Sequence, residues 1–197
     1  MMTYVASSLP EEAALASHQI INSLFFFVNY FSFVATQTAQ AFLPQYDAVD
    51  STGFNKLEAQ VLSRRLLKLT VLAVTVVSST AACIPYFLPF VLTNDTIVQT
   101  SVKPMALPLL LSSLLTAPMA VSEGILLARS DLKYLVIVYI SGTIAISIAL
   151  LKMKELEVSI LTQWYIFVLF QLFRAIMPTG RVWGGLIVRK ITGCHNK

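Results

Sequence analysis

The stretch AALASHQIINSLFFFVNYFSFVATQTAQAFLPQY, running from Ala13 to Tyr46, contains no Asp, Glu, Lys or Arg. A helix rises 1.5 Å per residue, so about 20 apolar residues cross the hydrocarbon core of a bilayer. This run is long enough to do so. Four more stretches behave the same way: Leu69 to Asn94, Pro104 to Ser122, Tyr134 to Leu151 and Val158 to Phe173 are all free of charged side chains. The last extends past Arg174 if that long side chain snorkels toward the interface. The pattern predicts an all-α polytopic membrane protein with spans at about 18–44, 69–93, 104–128, 133–151 and 158–178, and a basic tail over 181–197.

Composition agrees. Apolar residues make up 56% of the chain and charged residues 12%, with a mean hydropathy of +0.74; soluble domains carry about 25% charge. A soluble reading would need amphipathic helices to cover these runs, and no such segment is present. The lipid bilayer is therefore the first partner.

Basic residues fall on alternate connections. Lys56, Arg64, Arg65, Lys68, Arg129, Lys133, Arg174, Arg181, Arg189, Lys190 and Lys197 follow the first, third and fifth spans, against Lys103, Lys152 and Lys154 on the other side. Lys and Arg mark the cytoplasmic face, so the C-terminus is expected on the cytoplasmic side, or the stromal side of a plastid membrane. The net charge of +4 follows from these loops. No aromatic-basic interleaving points to nucleic acid.

Chemistry-bearing motifs are missing. Cys83 lies in a span and Cys194 in the basic tail, a poor pairing for a disulfide. There is no zinc spacing, P-loop, GxGxxG or GxSxG. No cofactor, metal or catalytic residue is expected, and the protein is read as a non-enzyme. Met1 to Pro10 has neither a basic n-region with an h-region nor an Arg-rich character, so it resembles no signal or transit peptide. An odd span count beginning on the translocated side predicts a preceding segment absent from this chain.

Polar residues inside spans carry the functional information, because they are costly unless they face a bundle interior or an aqueous cavity. His18, Asn22, Asn29, Thr36 and Gln40 are spaced by 4, 7, 7 and 4, which at 100° per residue holds them within an arc of roughly 40°. Two readings stand for Asn22, Asn29, Thr36 and Gln40: interhelical hydrogen bonds, or the wall of a cavity. His18, near the membrane edge, is expected to cap or anchor.

The third span carries Pro104, Pro108 and Pro118, and then Glu123. Glu123 follows Thr116 by seven residues and Ser112 by eleven, so the three share a helical face. Glu123 is either a proton- or cation-binding group or an anchor paired with Arg129, six residues on, and the anchor is favoured. The second span is expected to kink near Pro85 and Pro89, with Tyr86, Phe87 and Phe90 in the interface. In the last span Gln163 and Arg174 share a face; Arg174 reads as an anchor, with Trp164 and Tyr165 as belt residues.

These residues also resemble a family. Ala16-Ser17-His18-Gln19-Ile20, followed by a helix ending in Ala39-Gln40-Ala41, is similar to the Ala-Ala-His-Gln-Ile segment and Gln-Ala end of the eighth helix in multidrug and toxic compound extrusion transporters. Arg64-Arg65-Leu66-Leu67-Lys68 opens the next helix. Phe90-Val91-Leu92-Thr93-Asn94-Asp95 resembles the family's Leu-Phe-Thr-Asp-Asp loop. Glu123-Gly124-Ile125-Leu126-Leu127-Ala128-Arg129-Ser130-Asp131 resembles the Gly-Val-Leu-Arg-Gly-Ala-Gly-Asp end of its tenth helix, in a form most like the plant and algal plastid branch.

The resemblance covers residues 3–178 and implies helices eight to twelve of a twelve-helix transporter, with residues 1–15 as a stub of the seventh. It further implies a plastid envelope location and an organic-solute antiporter that uses protons or sodium. Such a lobe would be inactive without its N-terminal half, because alternating access needs two bundles. Cation-exporting members carry a carboxylate about two turns before Glu123, where this chain has Thr116; the acid has moved or is unrelated. Asn22, Asn29, Thr36, Gln40, Ser112, Thr116 and Glu123 are the pathway candidates. The alternative is a non-transporting membrane scaffold whose polar stripes hold helices together.

Overall fold

The computed structural model describes residues 3, 12–47, 53–155 and 159–192. Five long helices dominate: α1 Glu12–Phe42, α2 Gly53–Phe87, α3 Ala106–Ala128, α4 Leu132–Glu155 and α5 Ile160–Thr192. Each contains a segment long and apolar enough to cross a membrane, and no strand occurs among the described residues. The protein is an all-α polytopic membrane protein.

Helix bounds depart from the charge-free runs where hydrogen bonding outlasts hydrophobicity. α2 begins at Gly53 and carries Arg64, Arg65 and Lys68, all exposed, within its own length. Long basic side chains are good helix formers, so a helix need not stop where its apolar run does. α2 runs through Pro85 and ends at Phe87; Leu88, forced out of the helical region by the following proline, sits at φ −126° and ψ 43°. Pro89 then opens a short turn, Pro89–Leu92.

The third span enters earlier than position 104. Asp95 caps a helix at Thr96–Val102 by accepting from the Ile97 N–H at 2.8 Å, and a 3-10 turn at Lys103–Met105 feeds α3. At the C-terminal end, where a tail was expected from 181, α5 continues to Thr192. The stub assigned to residues 1–15 lies mostly outside the described residues, as does the tail over 193–197.

α3 is the axis of the bundle. It packs against α1, α2 and α5, and two thirds of its most apolar window (67%) is buried, against 22–33% for the other spans. α4 rests mainly on α5. The solvent logic is inverted relative to a soluble core: Phe27, Tyr30, Leu69, Leu72, Val76, Ile137, Ile140 and Leu169 are exposed, whereas Ser17, His18, Ser32, Thr36, Ser112, Ser113, Thr116, Ser122, Glu123, Gln163 and Gln171 are buried. Lipid tails satisfy the first set, and the bundle must satisfy the second.

Small residues set the closest contact. A Cβ on Gly124 would lie 2.8 Å from Ala39 Cβ and 2.9 Å from the Thr36 carbonyl oxygen, so α1 and α3 meet backbone to backbone there. α3 closes with the Asp131 N–H donating to the Leu126 carbonyl (3.0 Å) and the Ser130 N–H to the Leu127 carbonyl (3.0 Å). Ser130 takes a left-handed φ of 57° for this closure, a position usually given to glycine.

Candidate functional site

One side of α1 faces a cavity of about 610 Å³. His18, Asn22, Asn29 and Thr36 contribute from α1, with Phe25, Phe26 and Phe33 between them. The opposing wall comes from Met119, Ala120 and Glu123 of α3, Ile146 and Leu150 of α4, and Phe167, Gln171 and Arg174 of α5. His18 and Thr36 are 18 residues apart, about 27 Å along a helix, so the polar stripe lines most of the bilayer's depth.

The other pathway candidates stand elsewhere. Gln40, one turn beyond Thr36, is half-buried and does not line the cavity. Ser112 is buried with its hydroxyl donating to the Leu109 carbonyl at 3.0 Å. Thr116 shares a 2.6 Å hydroxyl contact with Ser32 and donates to the Ser113 carbonyl at 2.7 Å. Thr36 stands at the border, lining the cavity while donating to the Ala120 carbonyl at 2.9 Å. Ser112, Thr116 and Glu123 share a register, yet only Glu123 meets the cavity. Both readings of the polar stripe therefore occur on one helix: the hydroxyls of Ser32 and Thr36 join α1 to α3, and the amides of Asn22 and Asn29 face the cavity.

Glu123 pairs with Arg174 of α5, Nη2 to Oε1 at 3.0 Å, and not with Arg129, which is exposed beyond the α3 terminus. Arg129 is near in sequence, but it caps α3 where the helix turns away, whereas Arg174 is carried across from another span. The same Nη2 lies 3.2 Å from the Tyr139 hydroxyl of α4. The guanidinium carbon stands 4.9 Å from the Tyr139 ring centroid and 5.6 Å from that of Phe170, so the charge is also held by aromatic faces. Arg174 is thus a bundle-interior residue joining three helices, where the sequence suggested an anchor. Its side chain remains 21% accessible and that of Glu123 11%, so both are reachable from the cavity.

Two further expectations change. His18, expected at an edge, is 1% exposed and stands 5.7 Å from the ring of Trp164. Trp164, expected in the interfacial belt, is fully buried in an aromatic cluster with Phe25 at 6.5 Å and Phe167 at 5.6 Å. Gln171 was missed altogether. It precedes Arg174 by three residues, a spacing that puts both on one face. Among the described residues, His18 Nδ1, Gln171 Oε1 and Arg174 Nε are buried without a hydrogen-bond partner.

Chemically, the cavity offers amides, a carboxylate, a guanidinium and four phenylalanine rings, a set suited to holding an organic molecule by its apolar body and a few polar groups. No group of three His, Cys, Asp or Glu side chains comes together among the described residues. A second space of about 580 Å³ lies between α4 and α5 over Gly142, Ala145 and Ala149 and is apolar; Ile146 borders both spaces.

The chain is similar to protein DETOXIFICATION 47, chloroplastic, from Arabidopsis thaliana, with 28% identity over 169 residues. The match covers 85% of this chain and 30% of that protein, so the chain spans less than a third of its relative's length. No family model matches, and no solved structure matches.

Proposed function

We propose that this chain is the C-terminal lobe of a multidrug and toxic compound extrusion transporter, a secondary antiporter that moves small organic solutes in exchange for protons or cations. It works with a second helix bundle and is inactive alone, because alternating access rocks two bundles about a shared site. The observation that carries the reading is the membrane-depth cavity in which Asn22, Asn29, Glu123 and Arg174 converge from three spans. The similarity to a chloroplastic DETOXIFICATION protein supports the same direction and a plastid membrane. The basic connections favour a stromal or cytoplasmic C-terminus.

The test is gradient-driven efflux of an organic dye from vesicles containing the complete transporter with this lobe, compared with vesicles containing the 197 residues alone. Transport is expected only in the first, with Asn29→Leu and Glu123→Gln each reducing it about tenfold or more, the scale of one lost polar contact. Unimpaired transport in both variants would leave the polar residues as helix glue and favour the scaffold.

A further inference from the structure

We infer that the apolar groove between α4 and α5 binds one acyl chain of an anionic phospholipid whose headgroup rests on Arg181 and Lys133. The groove shares only Ile146 with the polar cavity, so the inference stands apart from what that cavity carries. Its chemistry selects the ligand. Every lining residue except Ser141 is apolar, and the Ser141 hydroxyl already donates to the Val138 carbonyl at 3.1 Å. No lining side chain is left to hydrogen-bond a polar solute, which would lose its water on entry and gain no partner. A hydrocarbon chain has nothing to lose there.

Length fits one leaflet. Ile166 and Met177, which both line the groove, are eleven residues apart, about 16 Å along α5; one leaflet supplies about 15 Å of the hydrocarbon core. The groove exists because α4 presents small residues there. A Cβ on Gly142 would stand 3.2 Å from the rings of Phe170 and Phe173, while Ala145 and Ala149 are too short to fill the space beside them. α4 rests mainly on α5, so a chain in this seam completes the packing of a span that has little other support.

The Met177 end is where the charge lies. The Tyr134 hydroxyl donates to the Met177 carbonyl at 2.8 Å, and Arg181, one turn beyond Met177, holds its guanidinium carbon 5.4 Å from the centroid of the Tyr134 ring. Arg181 meets Asp131 through Nε at 3.2 Å, and its side chain is still 57% accessible. Among the described residues its terminal nitrogens have no partner, which leaves that side of the guanidinium to a phosphodiester. Lys133, beside Tyr134 in the first turn of α4, is exposed and in no ion pair among the described residues. Two cations against the one carboxylate leave a single positive charge, and one phosphodiester matches it. Near the opposite end Lys152, three residues past Ala149, supplies one exposed cation to their two.

The test is native mass spectrometry of the 197-residue chain released from nanodiscs made of equal parts phosphatidylglycerol and phosphatidylcholine. Wild type is expected to retain a phospholipid, phosphatidylglycerol over phosphatidylcholine by about fivefold or more, the scale of one Lys or Arg at a membrane surface. Lys133→Gln with Arg181→Gln should abolish the preference while a lipid is still retained, and Ala145→Phe, at an exposed position, should lose the lipid by filling the groove. Lys152→Gln, and Arg64→Gln with Arg65→Gln, should leave the preference intact, which separates a site from general attraction to basic loops. Equal retention of the two lipids by wild type, unchanged retention in Ala145→Phe, or a preference that falls with Arg64 and Arg65 but not with Lys133 and Arg181 would overturn the inference. So would the absence of retained phosphatidylglycerol from the complete transporter carrying this lobe, which would give the groove to a helix of the second bundle.

Discussion

Two stretches of one face of α1 use similar residues for opposite ends. Toward α3, Ser32 and Thr36 meet Thr116 and the Ala120 carbonyl at 2.6 and 2.9 Å, and Gly124 allows the backbones to touch. Nearer the N-terminus of the same face, Asn22 and Asn29 look into a cavity that Phe167, Gln171 and Arg174 border from across. The difference lies in the opposing helix. Small residues let helices close and turn hydroxyls into glue, whereas bulky and charged residues hold them apart and leave amides toward a space. A polar residue in a span has no fate of its own until the size of its neighbour is known.

Arg174→Leu should have the largest effect on stability. It leaves the Glu123 carboxylate without its partner on the cavity side, at a cost of about 3–5 kcal/mol for a buried pair broken from one end. Thermal unfolding in nanodiscs reads the loss. A neutral result would show that the ion pair does not hold α5 to α3.

On the α3 side, Gly124→Ala should cost about 1–3 kcal/mol, the usual penalty of overpacking, since the added carbon meets Ala39 and the Thr36 backbone within 3.0 Å. A neutral result would mean that the seam is looser than its geometry. A double-mutant cycle of Ser32→Ala with Thr116→Ala should give a coupling of about 0.6 to 1.7 kcal/mol, the range of interhelical hydrogen bonds in membranes.

Ser130→Gly is the control lying outside both stretches. It should stabilise the chain by about 0.5 kcal/mol, the strain of a left-handed serine less the greater freedom of glycine in the unfolded chain. Asn29→Leu should change stability least, within about 0.5 kcal/mol, while impairing transport. If it destabilised as strongly as Gly124→Ala, Asn29 would be glue, and the contrast between the two stretches of α1 would fail.

Much of the candidate site was legible from spacing. Intervals of 4 and 7 placed Asn22, Asn29 and Thr36 on one stripe, and all three line the cavity. Spacing failed at the partners. Glu123 was set against Arg129, six residues away, but its partner comes 51 residues later on α5. Trp164 and His18 looked like edge residues by position and are buried against each other, because Val98, Val102, Met105 and Leu109 from the third span pack around Trp164.

The sequence by itself determined that five segments cross a membrane, because backbone satisfaction and apolar transfer are summed along each segment and need no knowledge of its neighbours. It also determined which residues share a helical face, since that follows from 100° per residue. Only the tertiary structure decided what opposes each face. The close approach at Gly124, the reach of Arg174 across three helices and the cavity between them depend on how helices far apart in sequence are placed side by side, and periodicity within one helix carries no record of that placement.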